Sequence, residues 1–241
     1  MRWLIISLCL LMPTSGFAAA GKMGGTAFGF NLGVVNSSQP SINQLVKSAN
    51  SRAGGISTSE LNQAYEAQIY LQYRFSGSIF AIQFRPSYFY QVEDGSGSLG
   101  TFKYDMQGYT LFPILRLYTL ENAFMKFFLQ VGMGYGRLNG AIQEGTTSGD
   151  AKVEFSGGTF GSQLGLGAEF CFTPAHCLNV EGNYRYLAFE RFKVDKSSGT
   201  FDTAGGSLSQ YDKGQELEVD GSDLSARMGG LMFMAGYTMW F

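Results

Sequence analysis

Between positions 63 and 75 the chain alternates apolar and polar side chains without a break. Tyr65, Ala67, Ile69, Leu71, Tyr73 and Phe75 share one face of an extended strand, and Glu66, Gln68, Tyr70, Gln72 and Arg74 share the other. The next segment repeats the split, with Phe80, Ile82, Phe84, Tyr88 and Tyr90 opposing Gln83, Arg85, Ser87 and Gln91. Ser76-Gly77-Ser78 between them has turn chemistry, so the two segments form a hairpin. Period-two reading of the whole chain gives eight strands, at 24–36, 63–75, 79–92, 102–118, 124–138, 155–172, 178–191 and 224–241. In the fifth, Phe127, Leu129, Val131, Met133 and Tyr135 oppose Lys126, Gln130, Gly132 and Gly134; in the seventh, Leu178, Val180 and Tyr184 oppose Asn179, Glu181, Asn183 and Arg185.

A lipid exterior and a polar lumen account for such two-faced strands. The connections agree: short turns near 76–78, 119–123 and 173–177 alternate with longer segments at 37–62, 93–101, 139–154 and 192–223, rich in Ser, Gly, Thr, Asn and Asp. The expected fold is all-β, an eight-stranded antiparallel up-and-down transmembrane barrel with both termini in the periplasm. The long segments are then solvated outer loops, where function concentrates.

Arg2, the apolar run from Trp3 to Met12 and Ala18-Ala19-Ala20 read as a secretory signal peptide at 1–20, cleaved after Ala20, ahead of one barrel domain at 21–241. Cys9 lies inside the apolar run and not in a lipidation box, so no lipid anchor is expected. No later stretch approaches the roughly 18 consecutive apolar residues of a membrane-crossing helix. A net charge of −2 excludes a basic nucleic-acid surface, and mean hydropathy near zero is what opposed apolar and polar faces average to. Tyr73, Phe75, Phe80, Phe172 and Phe241 fall at periplasmic strand ends and Tyr65, Tyr88, Tyr90, Tyr135 and Tyr186 at outer ends, as interfacial girdles do. Pro86 and Pro113 sit on the lipid-facing side of their strands and cannot donate to a ladder, which predicts local bulges.

Inward-facing charges supply the candidate chemistry. Arg74, Arg116, Lys126, Glu169 and Glu181 come from five strands at one depth near the periplasmic end, with Arg85 and Arg185 further in. An eight-stranded barrel leaves room only for side chains, so these groups must meet and pair, as a lumenal ionic plug. Inward Gly29, Gly33, Gly132, Gly134, Gly165 and Gly167 make room for Tyr70, Phe89, Phe112 and Phe128, which favours filling over conduction.

The single histidine, His176, falls in the third periplasmic turn, a solvated position without a second histidine to build a Ser/His or Asp/His pair, so no catalytic residue is assigned. Cys171 and Cys177 bracket the same turn; in an oxidising periplasm they are expected to bridge, stabilising by about 2 kcal/mol on the chain-entropy estimate. Two thiols and a histidine lack a fourth ligand, so no metal and no cofactor is expected. The glycines of Gly132-Met133-Gly134-Tyr135-Gly136 and Gly165-Leu166-Gly167 lie within strands and signal close packing, not a nucleotide loop.

Leu231, Phe233, Ala235, Tyr237, Met239 and Phe241 recur at two-residue spacing, and Tyr237, Met239, Trp240 and Phe241 resemble the C-terminal signal by which the barrel-assembly machinery recognises its clients. With the signal peptide, eight strands and long outer loops, the mature chain resembles the small outer-membrane β-barrel superfamily, the OmpA-like transmembrane domain and OmpX-like barrels. The resemblance implies a monomeric, non-enzymatic protein of the bacterial outer membrane with a structural or surface-interaction role. Its expected partners are outer-membrane lipid and lipopolysaccharide, the assembly machinery during insertion, and an unidentified surface ligand held by loops 37–62 and 192–223. The alternative is a narrow channel for ions or small hydrophobic compounds, as in OmpW-like barrels.

Overall fold

The computed structural model describes residues 24–37, 39–51, 57–98, 100–146, 149–199, 212–219 and 222–241; the leader expected at 1–20 and parts of both long loops lie outside them. In chain order the elements are β1 (Gly25–Asn36), α1 (Pro40–Asn50), β2 (Gln63–Arg74), β3 (Phe80–Gly97), β4 (Gly100–Glu121), β5 (Met125–Thr146), β6 (Gly149–Thr173) and β7 (His176–Tyr186). Four short strands follow, β8 (Ala188–Phe189), β9 (Lys193–Ser198), β10 (Glu218–Val219) and β11 (Ser222–Asp223), then β12 (Ala226–Arg227) and the closing β13 (Gly230–Trp240).

Strands β1 to β7 pair with their sequence neighbours and β13 pairs with both β7 and β1, so eight antiparallel strands form a closed ring. Closure removes every edge within the wall, which a hydrocarbon environment demands of backbone polar groups. Along β2 the faces alternate strictly: Tyr65, Ile69, Leu71 and Tyr73 are exposed, while Glu66, Gln68, Tyr70, Gln72 and Arg74 are buried. Exposed apolar side chains of this kind cover the outside of the ring, and among the described residues no helix is long and apolar enough to cross a membrane. From Tyr65 to Tyr73 the band measures about 26 Å along the strand, enough for an outer-membrane hydrocarbon layer.

Strands β3 to β6 outrun the expected boundaries, whereas the expected strands 178–191 and 224–241 end at Tyr186 and begin at Gly230, because Leu187, Phe189, Leu224, Ala226 and Met228 turn into the apolar core of the mouth. Segments 93–101 and 139–154, expected as loops, are mostly strand: β3 continues to Gly97, β4 starts at Gly100, β5 reaches Thr146 and β6 starts at Gly149. The period of two persists there with its polarity inverted. Outward on β4 the chain passes from Leu115, Pro113, Leu111 and Tyr109 to Gln107, Asp105, Lys103 and Thr101, while inward it passes from Arg116 to Met106, Tyr104 and Phe102. On β5 the outward face changes after Tyr135, to Arg137, Asn139 and Gln143, and the inward face becomes Leu138 and Ile142. Lipid rewards apolar groups outside and water rewards them inside, so the inversion beside Tyr109, Tyr135 and Phe160 marks where the wall leaves the membrane. From Tyr135 to Thr146 the β5–β6 hairpin rises about 36 Å further along the strand.

Loops 37–62 and 192–223, expected as solvated, instead send much of their described length into the barrel mouth. Helix α1 buries Ile42, Leu45 and Val46; the stretches around it and after β7 bury Leu61, Leu187, Phe189, Phe192, Val194, Leu217, Leu224, Ala226 and Met228. These pack with the inward Phe102, Tyr104, Met106, Leu138, Ile142, Val153 and Phe155 into one apolar core. Local pattern could not show this, because the covering partner is the barrel itself.

Bulges at the prolines are absent. The β3–β4 register runs evenly through Phe84↔Pro113 and Pro86↔Leu111; β2–β3 loses ladder pairs between Gln68↔Ser87 and Leu71↔Phe84 without changing register. Omitting a donor therefore interrupts the ladder without inserting a residue. The wall is instead irregular near its periplasmic end, between Tyr118 and Leu120 of β4 and between Cys171 and Thr173 of β6.

Candidate functional site

The lumen is filled in three tiers. At the periplasmic rim Arg74 grips Glu121 with two parallel hydrogen bonds, 2.8 Å from Nη1 and 2.7 Å from Nη2, and Lys126 lies 4.0 Å from the same carboxylate. Glu121 reaches the lumen because the bulge at Thr119 shifts parity by one: Leu120 pairs with outward Phe127, and Glu121 with Lys126. The sequence placed position 121 in a turn, so this partner was not anticipated. Arg74 and Lys126, expected in one network with Glu169 and Glu181, are drawn off to the rim.

Deeper, the middle tier joins Arg85, Arg116, Glu169 and Glu181. Arg116 donates to Glu169 at 2.8 Å and to Glu181 at 2.7 Å, and Arg85 donates to both oxygens of Glu181 at 2.7 and 2.9 Å. All four side chains are essentially sealed from solvent. Gln130 accepts from Arg116 and donates to Glu181 at 2.8 Å; Asn179 donates to Glu181 at 2.8 Å; Tyr118 donates to Glu169 at 2.9 Å. Arg116 also stacks over Phe128, 3.6 Å from the ring centroid. The charges balance and most remaining lone pairs and protons are used, the condition under which a buried ion cluster is tolerable. Aromatic bulk completes the tier: Tyr70 fills the space over Gly29 and Phe128 that over Gly167, so a side chain at either glycine would collide with a ring.

In the outer tier Arg185 pairs with Glu66, 2.7 Å away, and donates to the carbonyl of Met228 at 3.0 and 2.7 Å. Glu66 and Arg185 were each visible in the alternation of their own strands, but their pairing was not. The side-chain amide of Gln39 pairs with the backbone of Arg227 in both directions, at 2.7 Å each, which ties the two mouth segments together, and it also donates to Gln91 of β3 at 3.2 Å. Above the membrane, burial and the nearby charge of Glu144 push the Tyr104 hydroxyl well above its ordinary value. Exposed Glu154 is held below the usual carboxylate range by its hydrogen bond to Lys152.

His176 does not lie in the turn. It opens β7 on the outer side of the barrel, half-buried, with Nδ1 bonded to the Tyr237 hydroxyl and the ring stacked on Phe172. The only histidine of the chain is therefore an aromatic-belt residue. Cys171 and Cys177 face each other across β6 and β7 and are joined by a disulfide inside the lumen. In the closing strand Phe241 is exposed, whereas Trp240 turns inward, with Nε1 3.3 Å from Glu169 and Lys126 4.4 Å above its ring. Among the described residues the one close set of metal-ligating side chains is Glu169, Cys171 and Cys177.

No protein-family model matches the sequence, and no curated protein matches it. Solved structures are similar in chain path. Neisserial surface protein A is 11% identical, with 90% of this chain and 96% of that chain covered at a TM-score of 0.41. Ail, the attachment invasion locus protein of Yersinia pestis, is 12% identical, with 91% and 100% covered at 0.38. The outer membrane protease OmpT from Escherichia coli is 9% identical, with 90% and 94% covered at 0.49. At these values no residue role passes from them to this chain. The closed ring, the apolar belt between aromatic girdles and the polar lumen are in themselves the architecture of an eight-stranded outer-membrane β-barrel.

Proposed function

We propose that the protein is a closed, non-enzymatic barrel of the bacterial outer membrane whose function lies on its extracellular face. The observation that carries this reading is the continuous filling of the lumen, from the Arg74–Glu121 rim through the Arg85–Arg116–Glu169–Glu181 cluster to the apolar core at the mouth. A conducting pore needs a hydrated path, and these tiers occupy it. The wall carries β3 to β6 well beyond the girdle, presenting a rigid, water-facing sheet suited to contacts with lipopolysaccharide or a surface ligand. The absence of an open strand edge in the wall supports a monomer, and the aromatic ending of the closing strand supports assembly by the barrel machinery. The sole histidine is at the periplasmic end, bonded to Tyr237, which supports a role without catalysis. Planar-bilayer recording of the purified, refolded barrel is the test. Silence at all voltages is expected; steady, sizeable conductance would overturn the closed reading in favour of a channel for ions or small hydrophobic compounds.

A further inference from the structure

We propose that the periplasmic end of the lumen holds a latent site for a soft divalent cation, zinc or cadmium, made of Cys171, Cys177 and Glu169 and unmasked when the Cys171–Cys177 disulfide is reduced. The proposal does not depend on whether the barrel conducts.

The donors come from adjacent strands by register. Glu169 and Cys171 are two residues apart on the inward face of β6, and Cys177 pairs directly with Cys171 from β7. The two sulfurs and a carboxylate oxygen all lie within 4.8 Å of one another, and all three side chains are buried. Around tetrahedral zinc two thiolates and a carboxylate oxygen stand about 3.6–3.8 Å apart. Reduction frees the sulfurs, and rotation about the two Cα–Cβ bonds can carry them toward that separation. The carboxylate is also suitably disposed: Oε1 is taken by Arg116 and Tyr118, but Oε2 makes only a long, 3.3 Å contact with the Trp240 indole, so one oxygen can turn to a metal without breaking the ion pair.

Chemistry favours occupation once the bond is cut. A dithiol reductant transfers two electrons and two protons to the disulfide, becoming a disulfide itself and leaving two thiols. Metal binding then displaces both thiol protons to solvent. Buried thiolates have no water to stabilise them, and the dication neutralises both, leaving Glu169 balanced by Arg116 as before. The fourth position is left to a single water molecule, since the neighbouring Lys126 and Trp240 offer no ligand. With two thiolates and one carboxylate the set prefers zinc or cadmium over magnesium or calcium. In the oxidised state the sulfurs are spent on each other and the site is closed.

The experiment uses refolded full-length mature protein, reduced anaerobically with a dithiol that is removed before cadmium is added. Thiolate-to-cadmium absorbance and bound metal are measured together, with heat-modifiable gel mobility as the check of folding. One equivalent is expected on reduced protein and none on oxidised protein. Glu169→Gln should weaken binding by about tenfold or more, the Cys171→Ser/Cys177→Ser double variant should abolish it, and His176→Ala, altered on the outer face, should leave it intact. Equal binding to oxidised protein, absence of the absorbance band from folded protein with two alkylatable thiols, unchanged affinity in Glu169→Gln, or loss in His176→Ala would each overturn the proposal. So would collapse of the barrel on reduction.

Discussion

Glu181 is the keystone of the middle tier, and replacing it tests whether the lumen is held by charge pairing. Its carboxylate accepts from Arg85 at 2.7 and 2.9 Å, Arg116 at 2.7 Å, Gln130 at 2.8 Å and Asn179 at 2.8 Å, with longer contacts at 3.3 Å from Asn31 and Asn183. Glu181→Ala leaves Arg116 one carboxylate, Glu169, but strips Arg85 of its only carboxylate within 4 Å among the described residues. Breaking a buried pair from one side costs about 3–5 kcal/mol, because the surviving charge stays desolvated. The truncated side chain leaves space for water beside Arg85, which places the expected loss near 3 kcal/mol, within that range. Trp3 belongs to the expected leader, so Trp240, hydrogen-bonded to Glu169 in the same tier, becomes the single tryptophan reporter of the mature chain. Urea unfolding in lipid vesicles, followed by its fluorescence, gives the free energy. Arg85→Ala/Glu181→Ala should be less damaging than the sum of the single changes, since removing both partners leaves no orphan charge. A loss below about 0.5 kcal/mol for Glu181→Ala, or strict additivity in the double variant, would refute the pairing account.

The polarity inversion along β5 makes Leu129→Arg cost about 2–4 kcal/mol near mid-bilayer, whereas Gln143→Arg, on the same face above the girdle, should stay within about 0.5 kcal/mol; the same unfolding assay separates them. Phe102→Ala should cost about 3–5 kcal/mol through its cavity in the mouth core, read as faster proteolysis of the outer hairpins with the membrane wall intact. Tyr104 has an ordinary value of about 10 when unfolded and a higher one when folded, so its contribution is whole below about pH 10 and is lost as pH rises toward the folded value. Protease resistance of the hairpins should fall in that alkaline window, and less so in Tyr104→Phe. Deleting Phe241 should lower the yield of heat-modifiable barrel in cells, because the exposed terminal ring anchors β13, whose backbone bonds Thr26 of β1; normal yield would count against that role.

Period-two alternation alone located every membrane strand, because lipid and lumen impose opposite demands on neighbouring residues and the demand is local. Gln68, Arg85, Gln130 and Glu181 were assigned to the lumen from their own position in a strand. What alternation could not supply was anything that depends on a distant partner. Segments 93–101 and 139–154 carry the same period with its faces exchanged, and whether Phe102 or Ile142 points into a core is decided by α1 and the 187–228 segment folding over them. Glu121 became a lumenal residue through a single bulge, and Arg74 and Lys126 followed it to the rim. His176 left its turn because Tyr237 and Phe172, brought beside it by strand pairing, offered a bond and a stacking surface that solvent could not match. Local chemistry fixes which face a side chain takes, but only closure of the ring decides which charges from different strands share a depth, and hence which of them pair.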